Sequence, residues 1–403
     1  MSATLLSRPA ASPVAVVLLP IMAAVSIGFL VIGLALPVLP LHVHQDLGLS
    51  TFFVGLVTGS QFVASLLSRV WAGHFSDSRG AKNAVIAGLL TAVIGGLLYL
   101  LSLDFVAAPG LSVAILLIGR ALLGAAESFI ITGGVSWGLA LAGPSHAGRV
   151  IAWVGMAMFA ALAVGAPFGT ALYGRSGFAA VAVATVLIPL AAICVVLPFR
   201  AAPQHHGRRA GIFSVAGAVR MPGLGAALSS LGFGTMIAFS SLLATNQQWN
   251  PAWLLFSSFA ASLVAARFFL GHIPDKLGGA TVALVSIMIE AAGLALIWLA
   301  SDRVFATTGA AFTGLGFALV YPGLSVEAVR RAPPQSRGLV MGTYTACLDV
   351  ALGFGSPALG LVASWAGLRA VFLTAAVVVL AAAVIALRLL RPAPPRDALS
   401  ETV

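Results

Sequence analysis

Several charged side chains in this chain stand where water is scarce, and their types and spacing point to the chemistry of holding ions and moving protons. Arg120 and Glu127 lie in one apolar run. Each would cost roughly 2.5–3.5 kcal/mol at a helix centre facing lipid, so both are expected to face protein or water. Seven residues are two helical turns, which puts the pair on one stripe about 10 Å apart along the axis. That is too far for contact and close enough to share a cavity or a bridging group. The planar fork of Arg120 suits an anionic or strongly accepting group on a ligand. A buried carboxylate such as Glu127 suits proton uptake and release as its surroundings change. Asp349 lies in another apolar run with no basic residue within ten positions and Tyr344 five residues before it. Glu290 is also alone in its run, whereas Glu327 precedes Arg330 and Arg331 at helical spacing and is expected to pair with them. Glu127 and Asp349 are therefore the candidate proton carriers, and Arg120, Gln61, Tyr321 and Tyr344 the candidate substrate contacts. For Gln61, a hydrogen bond between helices is the competing reading.

Hydrolytic or metal chemistry finds no matching pattern. There is no H-E-x-x-H and no G-x-S-x-G. His205 and His206 are adjacent and lack the spacing of a closed metal site. Cys194 and Cys347 sit singly inside apolar runs, where a thiol behaves as a small hydrophobe. The expectation is a non-enzyme without cofactor or metal.

These groups must be positioned by membrane-spanning helices. Of 403 residues, 60% are apolar and 8% charged, a balance no soluble globule has. A span needs about 20 apolar residues, and twelve stretches qualify: 14–41, 51–74, 82–103, 110–141, 146–173, 177–199, 221–246, 251–273, 280–301, 303–329, 336–364 and 368–391. The formal charge of +10 would fit nucleic acid, but its placement excludes that reading. With the amino terminus in the cytoplasm, fifteen of the 21 basic residues fall on cytoplasmic segments and only Arg175, Arg303 and Arg369 on outer loops. Both termini are then cytoplasmic, and the run after Pro13 reads as an uncleaved first span. His42 and His44 follow that span and read as solvated interfacial residues.

The stretch Arg69–Lys82 returns 198 residues later, with Arg69, Gly73, His74, Asp77 and Gly80 recurring as Arg267, Gly271, His272, Asp275 and Gly278. Each copy reads as a helix end, a tight loop and a helix start. A second echo relates Gly165, Ala166, Pro167 and Gly169 to Gly355, Ser356, Pro357 and Gly360 at an offset of 190. Small residues permit close helix approach and proline permits bending, so Gly165, Pro167, Gly169 and Pro357 are candidate bending positions, with a packing seam as the competing reading.

Gly73, Asp77, Gly80 and Lys82 resemble the G-x-x-x-D-x-x-G-x-[RK] loop between helices 2 and 3 of the major facilitator superfamily, with Arg79 supplying a cation one position late. Gly119-Arg120 to Gly124 resembles its helix-4 R-x-x-x-G motif, and the Gly165–Gly169 run resembles, with P-x-G for P-x-x-G-G, the helix-5 motif of its antiporters. The resemblance implies an all-α membrane fold of two pseudo-symmetric six-helix bundles, here 1–199 and 221–403, joined by a basic cytoplasmic linker at 200–220. It also implies a midplane cavity exposed alternately to each side. Helix 1 has no acidic residue where some proton-coupled exporters of the superfamily have one, so any coupling carboxylate lies elsewhere. The repeat places Asp77 opposite Arg337 and Asp275 opposite Arg149 as gate latches when the outer side is open. The chain thus reads as a monomeric secondary transporter of a bacterial inner membrane, exporting a small organic substrate in exchange for protons. Its partners are the substrate, protons and the bilayer, and nucleic acid is not among them. Proton symport or uniport of a small metabolite, such as a sugar or organic acid, is the alternative.

Overall fold

The structure is a computed structural model and describes residues 14–143, 147–201, 216–331 and 337–390. In lipid a backbone must satisfy its hydrogen bonds within the segment, so apolar stretches of this length become helices. They are α1 (Val14–Ala35), α2 (Val38–Leu41) with a π-turn at His42–Asp46, α3 (Thr51–Arg79), α4 (Ala81–Leu103), α5 (Pro109–Ala142), α6 (Ala147–Val196), α7 (Ala216–Asn246), α8 (Leu254–Leu270), α9 (Ile273–Leu277), α10 (Gly279–Leu299), α11 (Arg303–Arg330), α12 (Arg337–Ala366) and α13 (Leu368–Leu390). Among the described residues, ten stretches are long and apolar enough to cross a membrane, and Leu254–Leu270 is a shorter apolar helix. The 50-residue α6 is broken at Gly177 (φ 68°), which divides it into the two spans expected at 146–173 and 177–199. The fold is therefore all-α, consistent with twelve spans.

One packing scheme is used twice. α5 packs on α3 and α4 as α11 packs on α8 and α10, and α1 packs on α6 as α7 packs on α12. The two bundles meet along α3 against α12 and α6 against α8, the same pair of elements exchanged between halves. The α3–α12 seam is tight at one end of the molecule: Thr51 Oγ1 donates to the Gly360 carbonyl at 2.9 Å and lies 2.9 Å from Ser364 Oγ. A Cβ on Gly55 would collide with the Ser356 and Pro357 backbone, so glycine is what allows this approach.

Two expectations about elements change. The loop foreseen around Gly73–Lys82 is a single-residue turn, because α3 continues through Gly73, Asp77 and Arg79 and only Gly80, at φ 94°, leaves the helix before α4 starts at Ala81. Its repeat Gly278 does the same at φ 89°, after the short α9 that the sequence did not reveal. That is why glycine stands at this position in both copies: a side chain is strained at positive φ. The linker expected at 200–220 is shortened at its end by α7, which starts at Ala216, and 202–215 lie outside the described residues. The small-residue clusters lie in packing seams, where a Cβ on Gly165 would press on Gly33 and one on Gly169 on Leu34, both in α1; bending at Pro167 and Pro357 as the halves move is a separate proposal.

Candidate functional site

Between the bundles lies a cavity of about 330 Å³, on the side of the α3–α12 seam nearer the basic helix ends. Its charged lining comes from four helices: Arg69 on α3, Glu127 on α5, Arg267 on α8 and Asp349 on α12. Arg69 Nη2 donates to Asp349 Oδ2 at 2.5 Å, an ion pair joining the two halves. Its partners lie 280 residues apart, so the solitary Asp349 of the sequence is in fact paired. Arg69 can span the seam because its side chain is long enough to carry its charge away from its own helix.

Glu127 accepts a hydrogen bond from Gln61 Nε2 at 2.6 Å, so Gln61 makes the helix-to-helix bond. Both also line a smaller space of about 80 Å³ beyond the main cavity. Gly124, one turn before Glu127, allows this because a Cβ there would strike the Gln61 backbone. Tyr321 lines the cavity and shares a 2.9 Å hydrogen bond with Thr345 Oγ1. Arg267 places its guanidinium carbon 4.3 Å from the centre of the Phe159 ring and donates through Nε to the Ala318 carbonyl at 3.3 Å. The apolar wall includes Phe62, Phe159, Phe233 and Phe317, with the last two rings stacked at 5.1 Å.

Three of the four expected substrate contacts are not at this cavity: Gln61 lines only the smaller space, and Arg120 and Tyr344 line neither. Arg120 is buried to 1% exposure inside the first bundle, and neither it nor Tyr344 is part of the cavity lining. Tyr344 is fully buried and donates to the Tyr321 carbonyl at 2.9 Å, which fixes α12 to α11. Arg120 and Glu127 share a stripe, but α5 turns its cavity-lining positions (Glu127, Ser128, Ile131, Thr132 and Val135) towards its later turns, beyond Arg120. Arg69 and Arg267 carry the cavity's positive charge instead. The sequence held a signal for them, since they are the span arginines that repeat each other at the offset of 198.

The other sites resolve as follows. Glu327 pairs with Arg330 at 3.0 Å and Arg331 at 2.5 Å, as its helical spacing foretold. It also accepts from the Ala280 N–H at 3.3 Å near the start of α10, where an anion is favoured. Glu290 is fully buried and accepts from Ser229 Oγ at 2.5 Å, tying α10 to α7. His42 is not solvated but 2% exposed, bonded to Asp46 at 2.8 Å and stacked on Phe178, whereas His44 is exposed. Lys82 donates to the carbonyls of Leu197 and Phe199, each at 2.6 Å, and so closes the end of the first bundle's last span. Asp77 is not without a partner. The side chains of Arg149, Asp275 and Arg337 lie outside the described residues, so the foreseen latches are not on view. No cluster of metal-ligating side chains occurs among the described residues.

The twofold packing and the cavity at the bundle interface have a counterpart in known proteins. The family model of the Major Facilitator Superfamily matches residues 21–253 and 222–402. This chain belongs to that superfamily. It is 43% identical over 356 residues to an uncharacterized MFS-type transporter of Salmonella typhimurium, covering 88% of this chain and 92% of the relative. It is 36% identical over 366 residues to the uncharacterized MFS-type transporter YhhS of Escherichia coli, covering 91% and 90%. Among solved structures, the nucleoside transporter NupG superposes with a TM-score of 0.76 at 14% identity, covering 93% of this chain and all (100%) of that one. A bacterial homologue of the lysosomal transporter Spinster, inward-facing and occupied, superposes with a TM-score of 0.71 at 16% identity over 93% and 96%. At such identities the structural likeness concerns the fold. Membership makes the chain a multi-pass membrane transporter.

Proposed function

We propose that this superfamily member exports a small organic substrate across a bacterial inner membrane by alternating access, in exchange for protons. The observation that carries the reading is the Arg69–Asp349 ion pair, which joins the two halves inside the cavity beside Glu127. With the basic helix ends in the cytoplasm, as the positive-inside bias requires, the tight α3–α12 seam closes the outer side and the cavity belongs to the inward-facing arrangement.

An ionised Asp349 holds Arg69 and keeps the halves together at this level. A proton on Asp349 removes its charge, and an incoming substrate that draws on Arg69 weakens the same pair. Proton and substrate then act on one latch, which couples their movements, and exchange requires that the latch carry one or the other across, not both. Glu127, bonded to Gln61 at the deep end of the cavity, towards the seam, is the second proton carrier. When the halves rock to the outward-facing arrangement, Asp77 with Arg337 and Asp275 with Arg149 close the cytoplasmic side.

The test uses the full-length protein. Compounds that raise its melting temperature are offered to proteoliposomes with pyranine trapped inside, with and without an imposed pH gradient. Uphill movement of a hit under the gradient, with a matching pyranine signal, is expected. Transport indifferent to the gradient and silent in pyranine overturns proton coupling.

A further inference from the structure

The two halves make one contact twice, with a different outcome each time. The offset of 198 that relates the polar repeats carries Arg69 onto Arg267. The offset of 190 that relates the small-residue clusters of α6 and α12 carries Phe159 onto Asp349. In space, Arg69 meets Asp349 across the halves, and Arg267 meets Phe159 across the halves. The repeat therefore puts an aromatic ring where its other copy has a carboxylate.

Among the described residues, Arg267 is left as a cation without a counter-anion. A guanidinium has five N–H donors. The Nε hydrogen goes to the Ala318 carbonyl, and the Nη hydrogens have no hydrogen-bond acceptor among the described residues. Glu127 and Asp349, the acidic groups of the cavity, are bonded to Gln61 and Arg69. The faces of Phe159 and Tyr321, at 4.3 and 5.9 Å, attract the cation, but a ring quadrupole does not neutralise it. An arginine kept half-buried at a cavity wall in this way is a receptor for an anion that arrives from outside.

We infer that Arg267 is the anion-recognition residue of the cavity, and that the substrate is an amphipathic organic anion whose carboxylate, or an equivalent group, pairs with Arg267 as Asp349 pairs with Arg69. The inference rests on the reading of the cavity as a substrate site, and it adds the substrate's charge class. The rest of the lining fits the rest of such a molecule. Phe62, Met158, Phe233, Phe317 and Leu352 offer an apolar wall for a flat or aliphatic body, and about 330 Å³ is at the small end of the usual range for ligand pockets.

The experiment measures thermal stabilisation of the detergent-purified full chain by a fixed panel: benzoate, salicylate, indole-3-acetate and octanoate, each beside its uncharged carboxamide. At least one carboxylate is expected to stabilise the wild type where its amide does not. Arg267→Gln should weaken that carboxylate's apparent affinity about tenfold or more, the scale of one lost charge-assisted hydrogen bond. Arg267→Lys, which keeps the charge but loses the fork, should recover part of it. Phe159→Asp supplies Arg267 with a partner and should abolish carboxylate selectivity while preserving the fold, with Phe159→Asn as the uncharged control that retains it. Equal response to acids and amides in the wild type, or selectivity that survives both Arg267→Gln and Phe159→Asp, overturns the inference. Proton coupling plays no part in this readout, so failure of the antiport reading in vesicles leaves a positive result standing.

Discussion

Arg69 and Asp349 are each half of a contact between the bundles, and removing one partner of this partly buried ion pair leaves the other charge uncompensated. Arg69→Gln and Asp349→Asn are thus each expected to lower the melting temperature, and the double variant to lie closer to wild type than the sum of the two. Additive losses in that double-mutant cycle would mean the pair is not coupled. Glu127 differs, since its partner Gln61 is neutral and shares only one hydrogen bond with it. Glu127→Gln should fold normally and lose proton-driven uphill transport. A normal rate in vesicles would remove Glu127 from the coupling step. Arg120 belongs to neither group: it is buried beside Tyr99 inside the first bundle, with its Nε and Nη1 lacking hydrogen-bond partners among the described residues.

At the level of elements, the α3–α12 seam is built from residues without bulk. Gly55 meets the Ser356 and Pro357 backbone, and Gly59 meets Gly353. Helices pack this closely in a bilayer because small residues let backbones approach, with no hydrophobic drive between apolar surfaces in lipid. A larger side chain at Gly55 has no space in this arrangement and would hold the seam open. Gly55→Leu is therefore predicted to populate the outward-facing state and arrest transport. The check is the alkylation rate of a cysteine at Thr132, which lines the cavity: from the basic side it should fall well below that of the same cysteine without the wedge. An unchanged rate would mean that α3 and α12 do not separate at Gly55.

For the whole molecule, alternating access requires the seam to open once per cycle. Thr51 Oγ1 and Ser364 Oγ, 2.9 Å apart across the two halves, mark a place where it can be locked. With Cys194 and Cys347 first replaced by alanine, Thr51→Cys with Ser364→Cys should form a disulfide on oxidation. Transport should stop, and reductant should restore it. Full activity of the oxidised protein would mean that the halves need not part along this line. The same rocking explains why the contact scheme is repeated: two bundles of one architecture can present equivalent surfaces, α3 with α12 and α8 with α6, to either side of the cavity.

The spans were legible in the sequence because a bilayer imposes length and apolarity on every crossing segment, and the all-α class followed from that constraint alone. The twofold organisation was legible too, as offsets of 198 and 190, and so was the pairing of Glu327 with Arg330 and Arg331, since three or four residues on one helix fix a distance without any tertiary knowledge. Gly80 and Gly278 announced their turns but not how short those turns are. Which face of each helix meets the cavity was beyond the sequence. A helix that is apolar on every side has no stripe to mark its inner face, so Arg120, Tyr344 and Tyr321 look alike as isolated polar groups in apolar runs. Only packing turned Tyr321 to the cavity, kept Arg120 and Tyr344 within the bundles, and brought Arg69 to Asp349, because contacts between separate helices depend on rotations and crossings that no local spacing encodes.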